Sequence, residues 1–413
     1  MDWVACVGID WGDREHAYVG RTRGGSTFRG TFKASAEEVH QWARQMREQF
    51  GGGKLIVAVE QGRGSLLYAL MSYEFVVLVP INPCASKAYR DSLRLSGASS
   101  DPADAALICE FAFKHIDELR AVKPDDVLTR KLRLLAEDRR RLVDQRTAFT
   151  HMLAETLKQY FPQALEWFGG ESSPCLLTFL GRWLTLAKMR KATAGQLTTL
   201  FRSARAQHAC RRGEELLAKL RAAVALTDDE AIVEAKSRYA ESLILMLVPL
   251  ARQIEAYDQT IAALWAEHPD RAIFDSLPGA GPVLAPRLAA AFGQDRARYS
   301  AADELQCYSG IAPVVEQSGK QRWVHSRYGF PKFLHQTFHE FAQSSMLKSR
   351  WARAFYQEQR SRGAGHHQAI RSLAFRWIRI VFRLWKTRTT YDEQHYIDAL
   401  TAKGSPLVAR LAA

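Results

Sequence analysis

Two short, unbroken apolar runs near the start of the chain each stop on an acid. Val4-Ala5-Cys6-Val7-Gly8-Ile9 ends on Asp10, and Leu55-Ile56-Val57-Ala58-Val59 ends on Glu60. Apolar on both faces and too short for a core helix, they predict strands buried inside a sheet. Residues 15–20 and 27–33 predict two further strands, with Gly24-Gly25 supplying hairpin chemistry between them. Ser35, with Glu38 three residues on, forms a capping box for a helix to about Phe50, which Gly51-Gly52-Gly53 terminates. A helix from about Gly64, a strand over 75–79, a helix after Pro83 and a helix opening at Asp101-Pro102 complete this part.

A three-stranded meander followed by two strands alternating with helices is the order of a ribonuclease-H-like domain. From residue 125 the period changes to that of helices. Leu128, Leu132, Leu135, Leu142, Phe149, Leu153 and Tyr160 make one stripe of steps of four and three, interrupted at seam positions by Arg139 and Arg146. Pro162 ends that helix, and residues 169–174 read as a loop. A second long helix is predicted over residues 230–267, with Pro249 as a possible kink. The region reads as a helical spacer or dimerisation arm, because no polar cluster with the spacing of a site occurs in it.

The third part begins near Ile273. Leu277-Pro278-Gly279-Ala280-Gly281-Pro282 resembles a helix-hairpin-helix turn, in which Gly279 and Gly281 let backbone N–H groups approach a phosphate. Pro286 is expected to shift or kink the start of the following helix. In the tail, Leu373, Trp377, Ile380 and Leu384 form an apolar helical stripe, so the aromatics there read as core. Arg376, Arg379 and Arg383 would form a basic ridge beside it.

Charge gives the first functional direction. The 413 residues carry 57 Lys and Arg against 44 Asp and Glu, a formal net charge of +13. Such a surplus points to a polyanionic partner. No apolar run is long enough to span a bilayer, and the start of the chain lacks the basic n-region of a signal peptide, so no membrane role is expected. Cys6, Cys84, Cys109, Cys175, Cys210 and Cys307 are scattered with no Cys-x-x-Cys, which predicts a reducing cytoplasm and no zinc site.

The candidate chemistry lies in four carboxylates. Asp10 and Glu60 end strands, and Asp101 and Asp104 are spaced to share one helix face. Oxygen ligands brought together in this way suit a hard divalent cation, which activates a nucleophile against phosphate. Each acid also has a plainer role open to it: Asp101 as a helix cap, Glu60 as partner of Arg63, Asp10 as a turn residue. His335 and His339 lack a zinc motif and read as surface or core histidines.

These motifs together resemble the DEDD insertion-sequence transposases, the bridge-RNA-guided serine recombinases of bacterial mobile elements. Gly8-Ile9-Asp10, Val59-Glu60 and Ser100-Asp101-Pro102-Ala103-Asp104-Ala105 match the acidic positions. Pro278-Gly279-Ala280-Gly281-Pro282, Gly310-Ile311-Ala312-Pro313 and Gln317-Ser318-Gly319 match the transposase part in order. Where the family tends to read Lys-Arg-Gly-Asn, this chain has Ser326-Arg327-Tyr328-Gly329-Phe330-Pro331, and Ala98-Ser99 replaces a commonly basic position.

The resemblance implies an α/β plus all-α chain in three parts. Residues 1–122 would be a RuvC-like domain in which Asp10, Glu60, Asp101 and Asp104 hold Mg²⁺, or Mn²⁺. Residues 123–270 would be a helical, coiled-coil-like dimerisation region, and residues 271–413 a mostly helical transposase domain with a basic tail. Ser318 would be the nucleophile, forming a covalent phosphoserine link to DNA. From sequence alone Ser309 is an equal candidate, and only the resemblance selects Ser318. Nucleic-acid contacts fall to Gly279, Gly281, Lys320, Arg322, Arg327, Arg376, Arg379 and Arg383. The implied partners are donor and target double-stranded DNA, a structured guide RNA, and further copies of the chain as a dimer or tetramer, in the cytoplasm at the nucleoid. Because the acids and Ser318 fall in different parts, the site would be composite. The competing readings are a junction nuclease with water as nucleophile and a non-catalytic nucleic-acid scaffold. An actin-like kinase would need a second Asp-x-Gly loop and a Gly-Gly adenosine motif, and neither is found.

Overall fold

A computed structural model of the chain describes residues 2–60, 64–93, 100–168, 170, 174–203 and 208–411. It divides into two compact units, Met1–Asp125 and Asp126–Ala413. The first unit runs β1 (Ala5–Asp10), β2 (Glu15–Thr22), β3 (Thr27–Lys33), α1 (Ala36–Gln49), β4 (Leu55–Val59), α2 (Ser65–Leu70), β5 (Val76–Pro80), α3 (Pro83–Leu93) and α4 (Asp101–Lys114). The five strands form one mixed sheet in the order β3-β2-β1-β4-β5. The meander β1-β2-β3 is antiparallel, and β4 and β5 add in parallel to β1.

Alternation along the strands sends side chains to two separate cores. Ala5, Val7 and Ile9, with Leu55, Val57 and Val59, pack against Val39, Trp42 and Met46 of α1 and Leu66, Leu67 and Leu70 of α2. Cys6, Ile56 and Ala58 pack on the other face against Ile108 and Ala112 of α4. Ser35 caps α1, its hydroxyl accepting from the Glu38 amide at 3.4 Å. The mixed sheet with helices on both faces meets the α/β expectation.

The second unit is almost wholly helical. Its frame is α5 (Val127–Tyr160) and α11 (Glu230–Ala266), with α6 (Gln163–Trp167), α7 (Pro174–Leu180), α8 (Leu186–Met189), α9 (Ala194–Ser203) and α10 (Ala209–Ala222) between them. The two long helices are antiparallel. Leu132 near the start of α5 shares a core with Ile261 and Trp265, while Leu153 and Leu157 near its end share another with Leu243 and Leu247. Arg139, at a seam position of the stripe, is paired across it with Asp258, at 2.5 and 2.9 Å. A bidentate pair satisfies the seam cation there, and α11 of the same chain covers part of the stripe. Helix α11 is continuous through Pro249.

The short helices α6–α10 close a core of their own with the ends of the long ones, built on Phe161, Phe168, Phe179, Leu197, Phe201 and Leu220.

Beyond α11 come α12 (Arg271–Asp275), α13 (Gly281–Phe292), α14 (Ala302–Tyr308), β6 (Val314–Ser318), β7 (Gln321–His325), α15 (Lys332–Ser345), α16 (Arg350–Ser361), α17 (His366–Thr387) and α18 (Glu393–Ala402). Pro286 neither shifts the start of α13 nor breaks it. The carbonyl it leaves unpaired is that of Pro282, in an exposed first turn where water can serve. Trp351, Trp377 and Trp385 are fully buried. Trp377 donates to Ser345 Oγ and Trp385 to the Gly293 carbonyl, both at 2.8 Å, so these tail aromatics are core. Among the described residues, no helix is long and apolar enough to cross a membrane.

Candidate active site

The acids gather at one end of the sheet for reasons visible strand by strand. Strands β1 and β4 are parallel neighbours with Ile9 opposite Val59, so Asp10 and Glu60 fall side by side at the carboxyl ends. That edge is where α/β folds place their chemistry. Helix α4 brings the other two. A Cβ on Gly8 would stand 2.2 Å from the Cys109 nitrogen and 2.5 Å from the Ala105 carbonyl oxygen, so only glycine lets α4 lie this close to β1. Ser100 occupies the N-cap of α4, and Asp101 and Asp104 fall in its first turn with Pro102 between them.

Asp10 feels the other three. The Asp10 carboxyl is pushed up to about 6, first by burial, then by the charges of Asp104, Asp101 and Glu60, with Arg90 opposing the rise. Arg90 Nη2 lies 3.0 Å from Asp104 Oδ1. One turn earlier on α3, the Ser86 hydroxyl donates to Glu60 Oε1. Beyond Asp10, the buried His16 accepts from the Gly12 amide through Nδ1 at 3.3 Å and fixes the turn that follows the acid. Burial lowers the pKa of His16 and favours its neutral form. Ser86, Arg90 and His16 were not singled out in the sequence. The spacing of Ser86 and Arg90 along the helix after Pro83 was the one available signal for that pair. Arg63, the alternative partner for Glu60, lies outside the described residues.

As a donor set, four carboxylates with no soft ligand suit a hard divalent cation, and the repulsion that raises Asp10 is what such a cation relieves. Among the described residues, no three His, Cys, Asp or Glu side chains stand close enough together to form a ligand group.

Ser318 belongs to the second unit, on a feature to which the sequence reading assigned no element. Strands β6 and β7 form a hairpin whose tight turn begins at Gly319, with φ of +58°, and Ser318 pairs with Gln321 beside the turn. Ser318, Lys320 and Arg322 are all exposed. The register puts Ser318, Glu316, Trp323 and His325 on one face, where His325 Nε2 meets Glu316 Oε1 at 3.0 Å. Ser309 contrasts with it. It is fully buried at the end of α14, and its hydroxyl donates to the Gln306 carbonyl at 3.3 Å.

His335 stacks on Phe330 with ring centroids 4.4 Å apart, and its Nδ1 lies 3.2 Å from the Ser309 carbonyl, so it pins the base of the hairpin. His339 is pushed down to about 4 by burial and then by the basic groups of His335, His367 and Arg371.

The expected nucleic-acid contacts divide. Gly279, with φ of +81°, is committed internally: a Cβ there would meet the Ser344 carbonyl oxygen at 2.7 Å, and Ser344 Oγ donates to the Gly279 carbonyl. Gly281 is exposed at the start of α13, with nothing within 4 Å of an added Cβ. Arg379 and Arg383 are exposed. Arg376 instead donates to the Tyr396 hydroxyl at 2.9 Å and lies over the Phe355 ring. Arg327 is half-buried, 3.7 Å from Cys307 Sγ.

Comparison with known proteins gives the family. A profile described as transposase, of the IS110 DEDD type, matches residues 7–162, and the transposase IS116/IS110/IS902 family profile matches residues 271–357. The protein named as transposase for the IS117 mini-circle of Streptomyces coelicolor is 29% identical over 405 residues, 94% of this chain and 95% of that protein. The 44.8 kDa protein of insertion element IS116 from Streptomyces clavuligerus is 26% identical over 93% of this chain and 95% of its own length. The 42 kDa protein of IS900 from Mycobacterium paratuberculosis is 24% identical over 82% and 85%. With its mixed sheet, its acidic strand ends and matches on both units, the chain belongs to the IS110-type family of insertion-sequence transposases, DNA-binding enzymes that cut and rejoin DNA.

Proposed function

We propose that this transposase cuts and rejoins DNA through a covalent phosphoserine link at Ser318, with Asp10, Glu60, Asp101 and Asp104 as the ligands of Mg²⁺. The support that carries the reading is the convergence of β1, β4 and α4 on one sheet edge, where burial and then the charges of Asp104, Asp101 and Glu60 raise the Asp10 carboxyl. Mg²⁺ would supply charge neutralisation at the phosphoryl transition state. The Ser318 oxygen would bond to the scissile phosphorus while the bond to one DNA oxygen breaks, and that oxygen leaves as a hydroxyl. Attack by the hydroxyl on the phosphoserine reverses the exchange and rejoins the strand without loss of the phosphoester. In favour of Ser318 over Ser309 are its exposure next to a hairpin turn and the cation Lys320 within that turn. Guidance by a structured RNA, and a site shared between protomers in a dimer or tetramer, belong to the same proposal through the family.

The test is recombination of a marked element between plasmids, with DNA binding measured in parallel. Asp10→Ala and Ser318→Ala should each abolish recombination while binding persists. A Ser318→Ala protein that still cuts DNA would instead favour a nuclease with water as nucleophile, and normal recombination in either variant defeats the assignment.

A further inference from the structure

Helix α3 turns one face onto the acids. Ser86 and Arg90 are separated by one helical turn, and they engage Glu60 and Asp104 respectively. The Arg90 and Asp104 side chains are 24% and 13% exposed, so this pair is poorly screened by solvent. We infer that Arg90 is the built-in counter-cation of the carboxylate cluster, occupying Asp104 until a divalent ion displaces it, with Ser86 holding Glu60 in the same manner. The inference rests on the metal reading of the four acids.

The physical logic is competition for the same oxygens. A monovalent guanidinium and a divalent ion cannot both take Asp104 Oδ1 at full strength, and each repels the other across a short distance. Loading the site therefore requires α3 to release its two contacts, which makes Arg90 a positioning residue that sets metal affinity. A merely structural Arg90 predicts the opposite sign: its loss would disorganise the acids and weaken metal binding.

The full-length protein, free of nucleic acid, is titrated with Mn²⁺ by calorimetry at low ionic strength, with electron paramagnetic resonance counting free ion. Arg90→Gln should bind Mn²⁺ about tenfold more tightly than the parent, a gain that shrinks as salt is raised. Arg90→Lys, which keeps the charge, should stay within about threefold of the parent and shows that the position tolerates change. Ser86→Ala should tighten binding by a smaller factor. Equal or weaker binding by Arg90→Gln, with parent binding intact and lost in Asp10→Asn, overturns the role of Arg90 and leaves the metal reading standing. A parent that binds no Mn²⁺ at millimolar concentration, indistinguishable from Asp10→Asn, overturns the metal reading and this inference with it.

Discussion

Gly8 ties the fold to the chemistry, and replacing it with alanine perturbs both through one methyl group. The added Cβ would lie 2.2 Å from Cys109 N, 2.5 Å from Ala105 O and 2.8 Å from Cys109 Cα, against the 3.4–4 Å of ordinary contact. All three atoms are backbone of α4, so no side chain can swing aside and the helix itself must retreat by about 1 Å. Overpacking of this kind costs about 3 kcal/mol when backbone has to move. For a unit of this size that is a fall of roughly 10 °C in its melting temperature. The retreat carries Asp101 and Asp104 away from Asp10 and Glu60, and misplacement of that size costs on the order of 100-fold in rate. Differential scanning calorimetry and the plasmid recombination assay read the two effects. Gly24→Ala is the control, since the nearest atom to its Cβ is Thr22 Oγ1 at 3.9 Å. If Gly8→Ala melts within a degree or two of the parent and recombines normally, α4 is not seated as described and the convergence of the acids fails with it.

Two further outcomes follow from particular groups. Asp10 has a folded pKa near 6 against an ordinary value of 3.8, so the native state holds a proton that the unfolded chain has lost between those values. Stability credited to that proton is present at low pH and lost as pH rises through 6. Asp10→Asn should therefore stabilise the metal-free protein at pH 7.5 by up to about 3 kcal/mol and leave it unchanged near pH 4, and equal effects at both would contradict the shift. Gly279→Ala combines a positive φ with a 2.7 Å clash against Ser344 O, whereas Gly281→Ala meets only the φ penalty. Chemical denaturation should show the first costing about 2 kcal/mol more than the second, and a reversed order would remove Gly279 from the packing of α15.

The N-terminal sheet was legible because β1, β4 and β5 are continuous apolar runs and the punctuation around them is strong, as at Ser35 and Gly51-Gly52-Gly53. The acids could be read from their places at strand ends and in one helical turn. Arg90 could not: its spacing from Ser86 marks a shared helix face, but does not distinguish an arginine that reaches a carboxylate from one that faces water. The hairpin around Ser318 was missed for a related reason. Its strands are exposed on both faces, so they lack the alternation that marks a half-buried strand, and only the Gly319-Lys320 turn announces it. The helices α6, α7 and α8 are too short to show a period, and the core they share with α9 and α10 exists only because the ends of α5 and α11 complete it. Arg376 looked like part of a ridge until tertiary packing supplied Tyr396 and Phe355.

The most direct test is to trap the protein on its DNA with Mg²⁺ present, digest the covalent adduct, and map the phosphate-bearing residue by tandem mass spectrometry. The chemistry set out above predicts a phosphodiester on Ser318, with the adduct lost in Asp10→Ala. A link on Ser309 or any other side chain, or recombination proceeding with no covalent species, would contradict it.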